Sequence, residues 1–417
     1  MLERLNPAAR ALVALIGGQI CLHAGMAGLR LAGPLFALQA GYGAGWVGVL
    51  LALFAAAPIV TALQAGRLAD RHGYHRPLNV AVALVLAGGA VAVASTFAVP
   101  LGAHAPFALL CVAATLSGAG ANAGLIAIQR SAGRSAADDG GGPGDATALK
   151  RVFSWLGLAP SLANVLGALL AGALIDLAGY RAAFAVLAVL PLGALAWARR
   201  VPVEPAAGLA ARRALPRTPL LRSALELART PGLRRLLLVN WLLSASWDVH
   251  AFLVPILGHD RGLSASAIGA ILAAFALAVA GVRLVIPWVA HRMREAQVLS
   301  AAMLWVALVF ALYPLTLGAW SMAACAVALG LALGVVQPMI MSTLHQLTPA
   351  ERHGEAIALR SVTINLSSTL MPLGFGLVGA ALGSAALFWM MAAAVGAGAW
   401  PARALAARLD ARRAGAQ

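Results

Sequence analysis

Residues 66–76 read Gly66-Arg67-Leu68-Ala69-Asp70-Arg71-His72-Gly73-Tyr74-His75-Arg76, a short charged stretch between two long apolar runs, 45–65 and 77–99. An acid, three arginines and two glycines stand together in a chain that is 61% hydrophobic and only 11% charged. Runs of that length match the roughly 20 helical residues needed to cross a bilayer core. The stretch between them must then lie at a membrane surface, where its charges meet water. Asp70 falls near the C-terminal end of the first run. A helix dipole is negative there, so a carboxylate at that place needs a positive partner.

The same pattern recurs along all 417 residues, whose mean hydropathy is +0.87. Apolar spans lie at about 11–35, 45–65, 77–99, 105–128, 152–175, 182–198, 235–257, 266–286, 298–317, 320–343, 356–380 and 384–402. These spans predict an all-α membrane protein with twelve transmembrane helices. No secretory cleavage pattern precedes the first span, so it is expected to be retained. The three cysteines, Cys21, Cys111 and Cys325, sit inside apolar spans and read as small buried hydrophobes. Ser131–Asp145, rich in Gly and Asp, reads as disordered.

The net charge of +16 could point to nucleic acid, but its distribution points elsewhere. With the N-terminus inside, every Lys and Arg falls on cytoplasmic pieces except Arg181, Arg261, Arg30 and Arg283. That is the positive-inside bias of a multi-pass membrane protein, and no basic-aromatic module is left over for nucleic acid. Both termini are expected to be cytoplasmic. Residues 199–234, rich in arginine and proline with a short helix near Ala224–Ala228, divide the chain into 1–198 and 235–417.

The two parts repeat. Shifting by 221 lays 45–71 on 266–292 with nine identities in 27 positions, among them Gly48/Gly269, Phe54/Phe275 and Arg71/Arg292. Pro34 pairs with Pro255 at the same shift, and a shift of 210 lays Ala146–Lys150 on Ala356–Arg360. Duplicated six-helix halves with a basic loop in the same place are a transporter plan. The copied loop, Pro287–Glu295, has His291 opposite Asp70, which predicts that only the first loop carries a working acid.

The pattern G-x-x-x-D-R-x-G at Gly66–Gly73 resembles the signature loop between helices 2 and 3 of the major facilitator superfamily of secondary transporters. With the repeat, the resemblance covers the whole chain. It implies two pseudo-symmetric six-helix bundles and a bacterial inner-membrane carrier, monomeric and without cofactor or metal. It also implies a gating motif of Gly66, Asp70, Arg71, Gly73 and Arg76. Asp70 would dock on the start of the eleventh span, from Ala356, with Arg71 or Arg130 nearby. Tyr74 and His75 depart from the family pattern. So does Ala114-Thr115-Leu116-Ser117-Gly118, which lacks the arginine of the family's fourth-helix motif and leaves the coupling ion open.

Asp248, in the seventh span, is the acid set deepest in an apolar segment, and such a charge needs a partner or a wet cavity. It reads as a proton or substrate site, or as the static partner of Arg30. Gln19, His23, Met26 and Arg30 form one stripe in the first span at i, i+4, i+7 and i+11. His23 reads equally as a core histidine, and Arg30 as a residue snorkelling to the surface. Arg283 reads as snorkelling too. Asn122 and Gln129 in the fourth span, Asn240, Trp241 and Trp247 in the seventh, Gln337 in the tenth and Asn365 with Ser361 and Ser368 in the eleventh are further inward candidates. Each reads as a ligand contact or as a polar link between helices. No phosphate-binding glycine loop and no metal-ligand cluster stands out.

The resemblance implies transport of a small organic solute by alternating access, with proton-coupled efflux by an antiporter expected by analogy with the family. The alternatives are a proton-coupled importer of a small organic anion and a non-transporting receptor or assembly factor on the same scaffold.

Overall fold

The computed structural model describes residues 7–42, 44–98, 104–136, 146–205, 208–210, 220–261, 263 and 265–414, and no strand occurs among them. Helices follow one another as α1 (Pro7–Gln39), α2 (Ala44–His72), α3 (His75–Ser95), α4 (Ala105–Ala136), α5 (Ala146–Leu156), α6 (Leu158–Val189) and α7 (Leu192–Ala198). Then come α8 (Leu220–Arg229), α9 (Pro231–Asp260), α10 (Ala265–Val289), α11 (Glu295–Leu312), α12 (Ala319–Leu347) and α13 (His353–Ala414). A chain this apolar has little choice, because a helix satisfies its own backbone polar groups where water cannot.

Among the described residues, ten helical stretches are long and apolar enough to cross a membrane. The seventh expected span lies on α9 and the eleventh on the first part of α13, so all twelve fall on helix. The boundary between the fifth and sixth spans is a break inside α6 at Gly179, whose φ of 77° only glycine adopts without strain. The short helix expected in the linker is α8. The stretch expected to be disordered divides. Ser131–Ala136 is the last part of α4, extended by the hydrogen bonds of a helix already formed, and 137–145 lies outside the described residues.

The chain divides into two compact units that interleave along the sequence. The first takes 1–143, 156–224 and, from far downstream, 350–365; the second takes 144–155, 225–349 and 366–417. In the first unit α1 packs on α6, and α3 and α2 both pack on α4. Leu29, Phe54, Leu110, Phe184 and Leu187 form its core. In the second unit α12 is the hub, touching α9, α10 and α11. Tyr313 stacks on Phe388 at 4.9 Å there, and His250 lies 4.3 Å from the Phe275 ring. Large apolar side chains such as Leu277, Trp288 and Trp320 stay exposed, which suits a surface wetted by lipid rather than water.

Candidate functional site

The carboxylate that needed a partner has several. Asp70 Oδ1 accepts from the backbone N–H of Gly354 at 2.8 Å and from Arg130 Nε at 3.0 Å. Its Oδ2 accepts from the N–H of Glu355 at 3.0 Å. Gly354 and Glu355 open α13, where unpaired amides and a positive dipole favour an anion. The negative end of α2 is thus met by the positive end of α13 together with a guanidinium. Asp70 and Arg130 are both buried, at 4% and 1% exposure. The α13 contact begins at Gly354, two residues ahead of the expected Ala356, because the helix starts at His353 directly after a 3₁₀ turn, Ala350–Arg352.

Arg130 does not stop at Asp70. Its Nη1 donates to Glu204 Oε1 at 2.6 Å, and Arg134 Nη1 donates to Glu204 Oε2 at 2.5 Å. Charges therefore alternate from the start of α13 through Asp70, Arg130 and Glu204 to Arg134. Gly73 turns the chain after α2 at φ 71°, and a Cβ there would come within 2.9 Å of Glu204 Oε1. Around Glu355, Arg67 Nε bonds Oε1 at 3.2 Å, and Ser223 of α8 donates to Oε2 at 2.6 Å. Arg76 is exposed and Arg71 half-buried. Tyr74, a departure from the family pattern, is buried, and a ring nitrogen of His75 bonds the Ala198 carbonyl at 3.2 Å.

Gly66 sits against Gly354. A Cβ on Gly66 would run into the Gly354 carbonyl oxygen and the Ala358 methyl, whereas a Cβ on Gly172 meets nothing within 4 Å. Gly66→Ala is therefore expected to cost about 1–3 kcal/mol by overpacking, although alanine is the better helix former. Gly172→Ala is expected to be neutral or slightly stabilising. Thermal unfolding of the two purified variants checks the contrast.

The second loop also holds a buried acid. The acid is Glu295, four residues past His291 and the first residue of α11. It is 1% exposed and accepts from Ser342 Oγ and Gln346 Nε2, each at 3.1 Å. Lys150 Nζ of α5 lies 3.6 Å from its Oε1 and also donates to the Met293 carbonyl. Lys150 and α5 thus meet the second loop within the second unit, as α13 meets the first loop within the first unit. Sequence repetition had already matched Ala146–Lys150 to Ala356–Arg360.

The inward candidates fall into separate clusters. In the first unit Ser361 Oγ donates to Asn122 Oδ1 at 2.5 Å, and Asn365 Nδ2 donates to the Ser361 carbonyl at 2.8 Å. The Gln19 amide, 1% exposed, and Asn122 Nδ2 make no hydrogen bond among the described residues. His23 Nδ1 lies 3.2 Å from the Gln19 carbonyl, and Arg30 is exposed. In the second unit Asp248 is half-buried on α9 and accepts from Ser368 Oγ at 3.2 Å and Ser367 Oγ at 3.4 Å. Trp247 stands edge-on to Phe275 at 4.7 Å, and Asn240 is fully buried. His250 Nδ1 lies 3.2 Å from the Tyr313 hydroxyl. Arg283 does not snorkel. It is 6% exposed and donates to Gln337 Oε1 at 3.2 Å, so a partner inside the unit holds it.

Sequence reading missed Glu204, Arg134, Glu355 and Ser223. A signal existed for Glu204, since Glu204 and Glu226 are the acids of the arginine-rich linker. An acid isolated among arginines at a membrane surface is a good place to look for a structural pair.

Comparison with known proteins agrees with this architecture. The sequence profile of the Major Facilitator Superfamily matches residues 15–243 and again 236–416. The crystal structure of the human organic anion transporter MFSD10 (TETRAN) superposes with a TM-score of 0.74 at 16% identity, over 95% of this chain and 100% of that one. A bacterial homologue of the iron transporter ferroportin, in its outward-facing state, gives 0.75 at 17% identity, over 98% of this chain and 100% of that one. The same homologue with soaked iron gives 0.73. At these identities the likeness is one of fold.

Proposed function

Since this chain belongs to the major facilitator superfamily and is a multi-pass membrane transporter of solutes rather than an enzyme, we propose that it is a proton-coupled exporter of a small organic solute, working by alternating access. The observation that carries this reading is Asp248. It is the carboxylate in the middle of α9, half-buried and held by two serine hydroxyls rather than sealed in the core. Hydroxyls can accept from a protonated acid as readily as they donate to an ionised one. The pair therefore supports a group that changes protonation in place.

The Gln19 amide and Asn122 Nδ2, without a hydrogen bond among the described residues, support solute contact in the first unit. A buried amide with no partner costs about 1–3 kcal/mol, and a polar ligand would recover it. The Asp70 cluster and the Glu295 cluster serve, in this reading, as latches that stabilise one of the two access states. A ligand shifts the balance between those states only by its difference in affinity for them. The bias of basic residues supports a cytoplasmic side for both termini and for residues 199–234, in a bacterial inner membrane. Arg30, exposed on α1, supports a second reading, import of a small organic anion.

A thermal-shift screen of the purified protein against small metabolites and drugs finds a solute. Proteoliposomes with an internal pH dye then separate the readings. The exporter moves protons opposite to the added solute, and the importer moves them with it. Solute flux with no proton movement in either direction contradicts both.

A further inference from the structure

The second unit carries a groove that the transport reading leaves unused. It has a volume of about 620 Å³, and every residue lining it is apolar. Leu277, Gly281, Val285 and Val289 of α10 form one wall, and Leu331 and Val335 of α12 form the other. Ala274 and Val289, near its two ends, are 15 residues apart on one helix, so it runs about 22 Å. A bilayer core is about 30 Å thick, so this length spans one leaflet with some to spare. At Gly281 the floor is open, and a Cβ there meets nothing within 4 Å.

One end of the groove is charged. Met293 closes it there, and Arg292 and Arg294 on either side are exposed and make no ion pair among the described residues. Arg151 is a third exposed cation, next to the Lys150 whose ammonium bonds the Met293 carbonyl. The neighbouring acid, Glu295, is buried against Lys150 and does not neutralise them. Trp288, 67% exposed and one turn before Arg292, has the amphipathic ring favoured at the level of lipid headgroups. An apolar slot as deep as a leaflet, with unpaired guanidinium groups just beyond an interfacial tryptophan, has the chemistry of one kind of occupant.

We propose that this groove binds an anionic phospholipid, one acyl chain lying between α10 and α12 and the phosphate held by Arg292 and Arg294. The charge selects the headgroup, and the apolar walls hold the chain whatever the headgroup.

Native mass spectrometry of the full chain, from micelles doped with equal amounts of phosphatidylglycerol and phosphatidylcholine, tests this. Phosphatidylglycerol adducts are expected to be favoured about thirtyfold, roughly fivefold for each arginine beside an anionic headgroup. R292Q/R294Q is expected to bring the ratio close to one while adducts persist. G281F, which fills the slot, is expected to remove adducts of both lipids. Equal retention by the unaltered protein overturns the proposal with no variant needed. So does a ratio unchanged in R292Q/R294Q. Adducts undiminished in G281F assign the lipid to some other surface and overturn it as well.

Discussion

Asp70→Asn is expected to cost the purified protein about 3–5 kcal/mol of stability, the loss typical of breaking a buried ion pair from one side. The carboxylate takes three hydrogen bonds within the first unit, two from the opening amides of α13 and one from Arg130. An asparagine can accept with only one of its two termini. Its NH2 would face an N–H of α13, and Arg130, 1% exposed, would keep only Glu204 as a countercharge. Arg130→Gln is expected to cost a similar amount. The double variant should lose less than the sum, with a coupling of about 1–3 kcal/mol, since both changes break one contact. In the proposed latch role, D70N should also reduce the rate of solute flux. Denaturant unfolding in detergent measures the cycle. A D70N cost within about 0.5 kcal/mol, as at an ordinary surface site, means that this cluster does not hold α13 to the first unit.

Glu295→Gln is the second change expected to have a large effect, also about 3–5 kcal/mol. Lys150 and Glu295 side chains are 3% and 1% exposed, so neither charge can relax into water when its partner goes. Glu295 keeps Ser342 and Gln346 in a Lys150→Met variant, whereas E295Q leaves a buried ammonium beside an amide in place of its carboxylate. E295Q should therefore be the worse of the two. K150M/E295M, which removes both charges, should recover most of the loss, as replacing a buried pair by apolar groups often does. Equal, additive costs of the single changes would mean that the two residues do not act on each other.

The two clusters mark what could be read from the chain and what could not. Asp70 announced itself, because a carboxylate at the negative end of a helix demands a partner. The site of that partner, 284 residues along, came only from resemblance to a family, and Arg130 was one of two arginines named for it. Glu204 was invisible to hydropathy, since its role depends on where the segment after α7 lies. The second acid was missed for a reason of register. Laying the halves over each other residue by residue sets His291 on Asp70, while the buried acid is Glu295, four residues further on and past the extended Met293 and Arg294. The basic pair Lys150-Arg151 likewise hid the start of α5, since charges interrupt an apolar run without interrupting a helix. Arg283 looked like a snorkelling residue because its depth was judged along one helix, and Gln337, which holds it, is on another. Helix count and helix type were legible throughout, for a membrane leaves the backbone little alternative. The solute was not, because the amides Gln19 and Asn122 indicate polarity without specifying a shape.

Asp248→Asn tests the proposed proton site most directly. Asparagine keeps the size and the serine contacts but cannot titrate. With the solute found by thermal shift, proteoliposomes bearing D248N should show no flux driven by a pH gradient, yet should exchange labelled for unlabelled solute at close to the native rate. Gradient-driven flux undiminished in D248N would contradict the account, as would loss of exchange together with gradient-driven flux in a protein that is folded and still binds the solute.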